Sequence, residues 1–395
     1  MARIGIVSIY DTGNVGNRLQ NFALATVIRE LGHAPVVIRN IAYPYACDPA
    51  LATEFGVAVR SATAHLPRPR WVPDVVRGVP RALLRGVQER DARGVRRAVA
   101  VSLRRRALSQ ESRAELDLDD RIIAAPGDAD GLADDYDVFI AGSDQVWNPG
   151  FRYGCPTDFL RFARPEQRVS YAASIGVSQL SVEMRAVFAV FLADFPRLSV
   201  REEAAAMLID DVIGRRPAVT LDPTLLLTAD HWSAMADRAP VLEDGPFMSS
   251  YLLYRDGNGV FANIAERSAA AGLTHHDIIA PRRLTADHLG LAAFLRGIRD
   301  AEYVVTDSFH ATVFSLLFGT PVSVLGRGTH QDARVRTLLN HIGMDPDSVI
   351  SPVGAAPLEP QRLVSGEHLA GLVHDSRRWL EDAISESMAA NGGRG

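Results

Sequence analysis

Four polar turns hold residue types from which chemistry can be built, and each follows an apolar run that reads as a buried strand. The richest is Thr306-Asp307-Ser308-Phe309-His310, which sets a carboxylate, a hydroxyl and an imidazole behind Tyr303-Val304-Val305. An imidazole changes charge near neutral pH, so His310 can give a proton, take one, or bind an anion as a cation. Asp307 can orient that ring or cap the helix that follows. The second turn, Gly142 to Pro149, carries Asp144 and Trp147 behind Asp137 to Ala141. Polar groups and one indole packed into a turn after a buried strand are unusual for a mere connector. The third is Arg201-Glu202, behind Leu198-Ser199-Val200. The fourth runs from Tyr10 to Gly16 behind Arg3 to Ile9, and its glycines lead into a helix whose first N–H groups can meet an anion. Gly13 and Gly16 do not make the dinucleotide fingerprint.

The elements that must position these turns alternate strand and helix. Asn17 to Leu31 places Leu19, Phe22, Ala23, Val27 and Leu31 on one helical face; Gly32 ends it, and Val36-Val37-Ile38 is the next strand. Val313 to Phe318 makes a compact helix stopped by Gly319 and Pro321, and Val322 to Leu325 follows as a strand. Repeated units of this kind build open parallel sheets, which bind ligands at the carboxyl ends of their strands. Arg215-Arg216-Pro217 and Leu221-Asp222-Pro223-Thr224 mark the crossing to a second domain, with Asp222 as a turn residue. The expected class is α/β, with two Rossmann-type domains over 1–215 and 216–360 facing a cleft, as in the GT-B architecture. A C-terminal helix and tail over 361–395 would pack back across a domain.

Composition narrows the field. The 395 residues suffice for two ordinary domains, and a net charge of -5 argues neither for a nucleic-acid binder nor for a halophilic surface, so no nucleic-acid partner is expected. All 42 basic residues are arginine, so an anion site here must use Arg, His or backbone N–H groups. Cys47 and Cys155 make no disulfide framework and fit a reducing cytoplasm. The N-terminus has no signal-peptide stretch, and no run approaches the ~18 apolar residues of a membrane span. Between Pro67 and Arg106 twelve arginines face three acids. Spacings of three and four there suggest helices with one cationic face. That face is either simply solvated or a surface for an anionic lipid-linked diphosphate or membrane headgroup.

Motif by motif the chain resembles the polysaccharide pyruvyl transferase family. The resemblance is carried in order by Asn14-Val15-Gly16-Asn17-Arg18-Leu19-Gln20, Ala141 to Pro149, Ser170 to Gly176, Ser199-Val200-Arg201-Glu202, Leu221 to Leu226 and Thr306 to His310. It covers nearly all of the chain and is thinnest from Ala50 to Leu132. Ala311 stands where the family commonly has glycine, and Val15 where an aromatic is common. The resemblance implies transfer of a pyruvyl group from phosphoenolpyruvate to two hydroxyls of one sugar, giving a cyclic ketal and phosphate. The acceptor would be a sugar of a polysaccharide or of its lipid-linked precursor. The protein is expected in the cytoplasm, with peripheral contact at the inner face of the cell membrane.

A small, highly anionic donor calls for cations and N–H donors. Arg201 and Arg327, one from each domain, are the expected donor-binding cations, joined by Gly16, Asn17 and Ser308. His310 is the expected acid toward the vinyl carbon or the cation for the leaving phosphate, Asp307 its orienting partner, and Asp144 the base for the sugar hydroxyl. Asn14, Gln20, Trp147 and Glu202 are expected on the acceptor side, with a basic insertion at about 60–130. Phosphoenolpyruvate is a substrate, so no cofactor is expected, and no metal-ligand spacing is present. Three rivals remain at this point: a GT-B glycosyltransferase using a nucleotide sugar, a pyruvyl transferase acting on a small molecule, and a sugar-binding protein without activity. Against the first, no Asp or Glu lies between His310 and Gln331, where a ribose-binding carboxylate would be expected.

Overall fold

The structure, a computed structural model, describes residues 1–10, 13–41, 92–150, 152, 154–253, 260–364 and 366–392. The first part of the expected basic insertion, 60–91, lies outside the described residues.

The first domain is one parallel sheet of seven strands. Strand β1 (Arg3–Val7) leads to helix α1 (Val15–Glu30) and β2 (Ala34–Asn40). Helix α2 (Ala92–Glu115) then precedes β3 (Leu118–Ile123), β4 (Val138–Gly142) and β5 (Arg168–Ala173). Helix α3 (Val182–Ala193), β6 (Arg197–Val200), α4 (Glu203–Ile213) and β7 (Ala218–Val219) complete it. The strand order is β3-β2-β1-β4-β5-β6-β7. Strand β7 still pairs with β6, so this sheet runs past the expected boundary at 215. Strands β1, β4 and β5 are almost wholly buried, and β1 and β4 are nearly continuous apolar runs, as in strands covered on both faces.

After α5 (Ala229–Ala236) the second domain forms a five-stranded parallel sheet. Its elements are β8 (Phe247–Tyr251), α6 (Val260–Ala270), β9 (Thr274–Asp277), α7 (Leu291–Arg299), β10 (Val304–Thr306), α8 (Phe309–Phe318), β11 (Val322–Leu325), α9 (Thr329–His341) and β12 (Ile350–Ser351). The order is β12-β11-β10-β8-β9. Each sheet reverses direction of travel once, between β1 and β4 in the first and between β8 and β10 in the second. Such switch points open a crevice at the strands' carboxyl ends. The head of α1 and the turn after β4 flank one crevice; the turn after β10 flanks the other.

Helix α10 (Glu367–Gly392) returns to the first domain. Leu380, Ala383 and Ile384 are buried, Trp379 lies 6.2 Å from Tyr171, and Ser376 accepts from the Leu221 N–H at 3.0 Å. The two doubly wound domains with a returning C-terminal helix make the GT-B arrangement. At its base an aromatic chain joins the halves: Phe22 on α1 meets Trp232 at 5.7 Å, Trp232 meets Phe314 at 5.0 Å, and Phe314 meets Phe294 at 5.9 Å.

Helix α2 corrects part of the basic-surface expectation. Three of its arginines reach into the second domain. Arg104, buried, donates to the Ile278 carbonyl; Arg97 donates to Leu252 at 3.3 Å and Arg96 to Arg282 at 2.5 Å. Glu111 accepts from the Leu291 N–H at 2.7 Å, a carboxylate at the positive end of α7. These side chains tie the domains together and are engaged by backbone groups at and beyond the ends of β8 and β9. A charge run reads as solvated because the carbonyls that will accept from it are invisible in sequence. Among the described residues no helix is long and apolar enough to cross a membrane.

Candidate active site

Asp222 is the hub. It begins the Asp-Pro-Thr turn after the first sheet, and its Oδ1 accepts from Thr224 N at 3.0 Å and Thr224 Oγ1 at 2.6 Å. That is the turn role expected from sequence. Its other oxygen faces the cleft: Oδ2 accepts from Arg201 Nη1 at 2.5 Å, lies 3.5 Å from Ser143 Oγ and 3.7 Å from His310 Nε2. Burial pushes its pKa up, but His310 and the Arg201 guanidinium outweigh burial and hold the carboxyl well below the usual carboxylate range. Arg201 is 4% exposed. Burial disfavours its charge, yet Asp222, Asp144 and Glu202 together raise its pKa.

His310 reaches this centre from the second domain. It sits in the first turn of α8, whose cap is Ser308: the Ser308 hydroxyl accepts from Ala311 N at 3.5 Å. Its ring lies on the first turn of α1. A Cβ built on Gly16 would come 2.1 Å from His310 Nδ1 and 2.6 Å from its Cγ. Gly16 is therefore a glycine because an imidazole from the other domain occupies the side-chain position. The Asn17 N–H is engaged, on the Asn14 side chain at 3.1 Å, and so is not an open donor. Asn17 instead donates from Nδ2 to Asp144 Oδ2 at 3.1 Å.

Asp144 has a left-handed backbone, φ 64°, that turns its carboxylate back into the site. Its Oδ1 accepts from Gln145 N at 2.8 Å and lies 3.9 Å from Arg201 Nη2. Glu202 Oε1 collects three donors, Ser174 Oγ, Ile175 N and Gly176 N, at 2.9 to 3.1 Å. Its Oε2 lies 4.0 Å from Arg201 Nε. Among the described residues four buried atoms of this cluster have no hydrogen-bond partner: Arg201 Nε and Nη2, Glu202 Oε2 and His310 Nε2. Buried polar groups are normally paired, so such a concentration makes this cluster the candidate ligand site.

Several expected site residues stand elsewhere. Trp147 is 1% exposed, stacks on Phe159 at 5.3 Å and donates to the Asp158 carbonyl at 3.0 Å; it is a core residue with no face for a sugar. Gln20 is buried, its oxygen on Ser143 N and Oγ at 3.1 and 2.8 Å and its nitrogen on Ser8 Oγ at 3.0 Å, so it shapes the Ser143 turn. Asn14 caps α1. Asp307 does not orient His310. Its Oδ1 accepts from Leu253 N at 2.7 Å and its Oδ2 from Arg327 Nη1 at 3.1 Å, so Asp307 and Arg327 hold each other. The partner of His310 is Asp222, which follows an apolar run as the other rim residues do. Its turn signature masked that signal.

Sequence reasoning also missed Phe309. Arg201 lies 4.8 Å from its ring centroid and Arg334, on α9, lies 5.6 Å from it. Both contacts are in cation–π range.

No curated protein matches the sequence. Among solved structures the chain is similar to UGT89C1 of Arabidopsis thaliana, at 12% identity and TM-score 0.41 over 99% of this chain and 93% of that one. It is also similar to UDP-GlcNAc 2-epimerase of Neisseria meningitidis, at 11% identity and TM-score 0.41 over 98% and 94%. A third, the glycosyltransferase SsfS6 of Streptomyces sp. SF2575, stands at 11% identity and TM-score 0.35 over 99% and 96%. Likenesses this distant carry nothing about activity. The family model for polysaccharide pyruvyl transferase, by contrast, matches residues 14–329, from the cap of α1 to the start of α9 and through every turn of the site. The chain belongs to the polysaccharide pyruvyl transferase family.

Proposed function

We propose that the protein transfers the pyruvyl group of phosphoenolpyruvate to two hydroxyls of a sugar in a polysaccharide or its lipid-linked precursor. The observation that carries this is Arg201. One nitrogen is fixed by Asp222, and two buried N–H-bearing nitrogens have no partner among the described residues, next to His310 Nε2 and two further carboxylates. That set supplies a cation for a carboxylate or phosphate, an imidazole for proton transfer, and acids able to take hydroxyl protons.

In the proposed reaction an acid protonates the donor's C3, which makes C2 electrophilic. One hydroxyl oxygen adds to C2 and its proton passes to a carboxylate, with Asp144 the first candidate and Glu202 the second. The C2–O bond to phosphorus then breaks, and phosphate leaves with that oxygen and the electron pair. The second hydroxyl adds to C2, its proton is released, and the cyclic ketal closes. His310 serves either as the acid at C3 or as the hydrogen-bond donor to the departing phosphate; in both roles the Asp222 carboxylate lies 3.7 Å from its Nε2.

A nucleotide-sugar donor is the weaker reading. The first carboxylate after His310, Asp332, is buried and accepts from the backbone N–H of Arg327 at 3.0 Å and of Gly328 at 3.2 Å, so it caps α9 and is not offered to a ribose. The deciding experiment is phosphate release from phosphoenolpyruvate across a panel of sugars and lipid-linked sugars, with His310→Ala and Arg201→Ala as controls. Activity lost in both variants supports the proposal. Full activity in both removes the site, and heat protection by a nucleotide sugar with none by phosphoenolpyruvate removes the donor.

A further inference from the structure

Arg201, Arg327 and Arg334 stand near the cleft, and they are not alike. Arg327 is paired with Asp307 and Arg201 with Asp222. Arg334 is half-buried on α9, and among the described residues it forms no ion pair with a carboxylate. Its partner is a neutral amide from the other domain. Oriented with its carbonyl toward the guanidinium, Gln145 accepts from Arg334 Nη2 at 2.9 Å and Nη1 at 3.2 Å. Two parallel N–H groups on one oxygen present the fork that carboxylates and phosphates take.

The position is also inside the reach of the site. Arg334 shares the Phe309 ring with Arg201. Burial lowers its pKa, and the charge of Arg201 lowers it further, while Asp144, Glu202 and Asp222 pull the other way. Gln145 follows Asp144 directly, and a Cβ on Gly176 would fall 2.1 Å from the other terminal atom of its amide, the nitrogen in this orientation, so the amide is closely confined. A charged cation held by a confined neutral acceptor gains when a charged oxygen replaces that acceptor, because the anion adds a charge–charge attraction that an amide carbonyl lacks.

We propose that Arg334 is a donor-binding residue, and that the Gln145 carbonyl marks the place on its guanidinium that one anionic oxygen of the donor takes. This rests on phosphoenolpyruvate being the donor. It assigns to Arg334 the second-domain cation that sequence reasoning had placed at Arg327. It also makes donor binding exchange one contact between the domains for another, since α9 and the Asp144 turn belong to opposite halves.

The test is calorimetric titration of phosphoenolpyruvate into the full-length protein and three variants, with thermal unfolding as a folding check. Arg334→Gln should weaken binding at least tenfold. Gln145→Glu should weaken it at least tenfold, because a built-in carboxylate then holds Arg334. Gln145→Ala should bind as tightly as the wild type or more tightly, because the competitor is gone. A loss of less than tenfold in Arg334→Gln overturns the assignment, as does a tenfold loss in Gln145→Ala, which would make the pair a structural clamp. Should Arg334→Gln fail to fold, the two Gln145 variants decide by the same criteria. Wild-type protein that does not bind phosphoenolpyruvate overturns this inference and the donor together; wild-type binding that Arg334→Gln leaves intact overturns this inference alone.

Discussion

Gly16→Ala separates the site from the fold more sharply than any substitution of a charged residue. Gly16 is the second residue of α1, and its φ is not in the left-handed region. In a helix, alanine is intrinsically favoured over glycine by about 1 kcal/mol. Against that stands the new methyl, 2.1 Å from His310 Nδ1 and 2.8 Å from Cε1. An ordinary carbon contact is about 3.5 Å, so the imidazole must withdraw by roughly 1.4 Å. An off-rotamer side chain costs about 0.5–1.5 kcal/mol, which the helix gain offsets. Stability should therefore change by no more than about 1 kcal/mol in either direction. Activity should not survive so well. A displacement of that size takes Nε2 off its position 3.7 Å from Asp222, and about 1 Å of misplacement is enough to lower a rate ~100-fold. The assay is the initial rate of phosphate release from phosphoenolpyruvate with a sugar that supports turnover, beside a denaturation midpoint. A variant that keeps more than half of wild-type activity with an unchanged midpoint refutes the reasoning, because the ring would then be free to act from elsewhere.

Two further outcomes follow from the same geometry. Asp222→Asn leaves the Arg201 guanidinium without its closest buried counter-charge and should cost about 3 kcal/mol at pH 7. The carboxyl of Asp222 is depressed in the fold, so its contribution is complete above the unfolded pKa of about 3.9 and falls as pH drops below it. Asparagine does not titrate there, so the stability gap between the two proteins should shrink below about pH 4, by at most ~1.4 kcal/mol per pH unit. A gap that stays constant from neutral pH to about pH 2.5 contradicts this. Trp147→Phe removes the indole N–H from the Asp158 carbonyl and should cost about 1–3 kcal/mol while leaving the acceptor KM unchanged. A tenfold rise in that KM at unchanged stability would restore Trp147 to the acceptor site.

The rim of the site was legible because a parallel sheet leaves few places for polar residues. Each buried strand must end, and Asp144, Arg201, Asp222 and His310 all follow apolar runs closely. The switch points then bring those ends together whatever the sequence distance between them. What could not be read was which rim residue meets which. Asp307 lies three residues from His310 yet holds Arg327, whereas Asp222, far back in the chain, faces the imidazole. Such pairings depend on the packing of one domain against the other, and that packing is set by contacts with no local pattern: the aromatic chain from Phe22 to Phe294, and the arginines of α2 on second-domain carbonyls. Trp147 shows the same limit inward. Its neighbours suggested a sugar, but the next residues along a turn can point to opposite sides, and the indole turned to the Phe159 core. Asp222 shows that two readings need not exclude each other. One oxygen builds the Asp-Pro-Thr turn and the other holds Arg201. In Asp222 the turn signature accounts for one oxygen of the carboxylate, and the other faces Arg201 and His310.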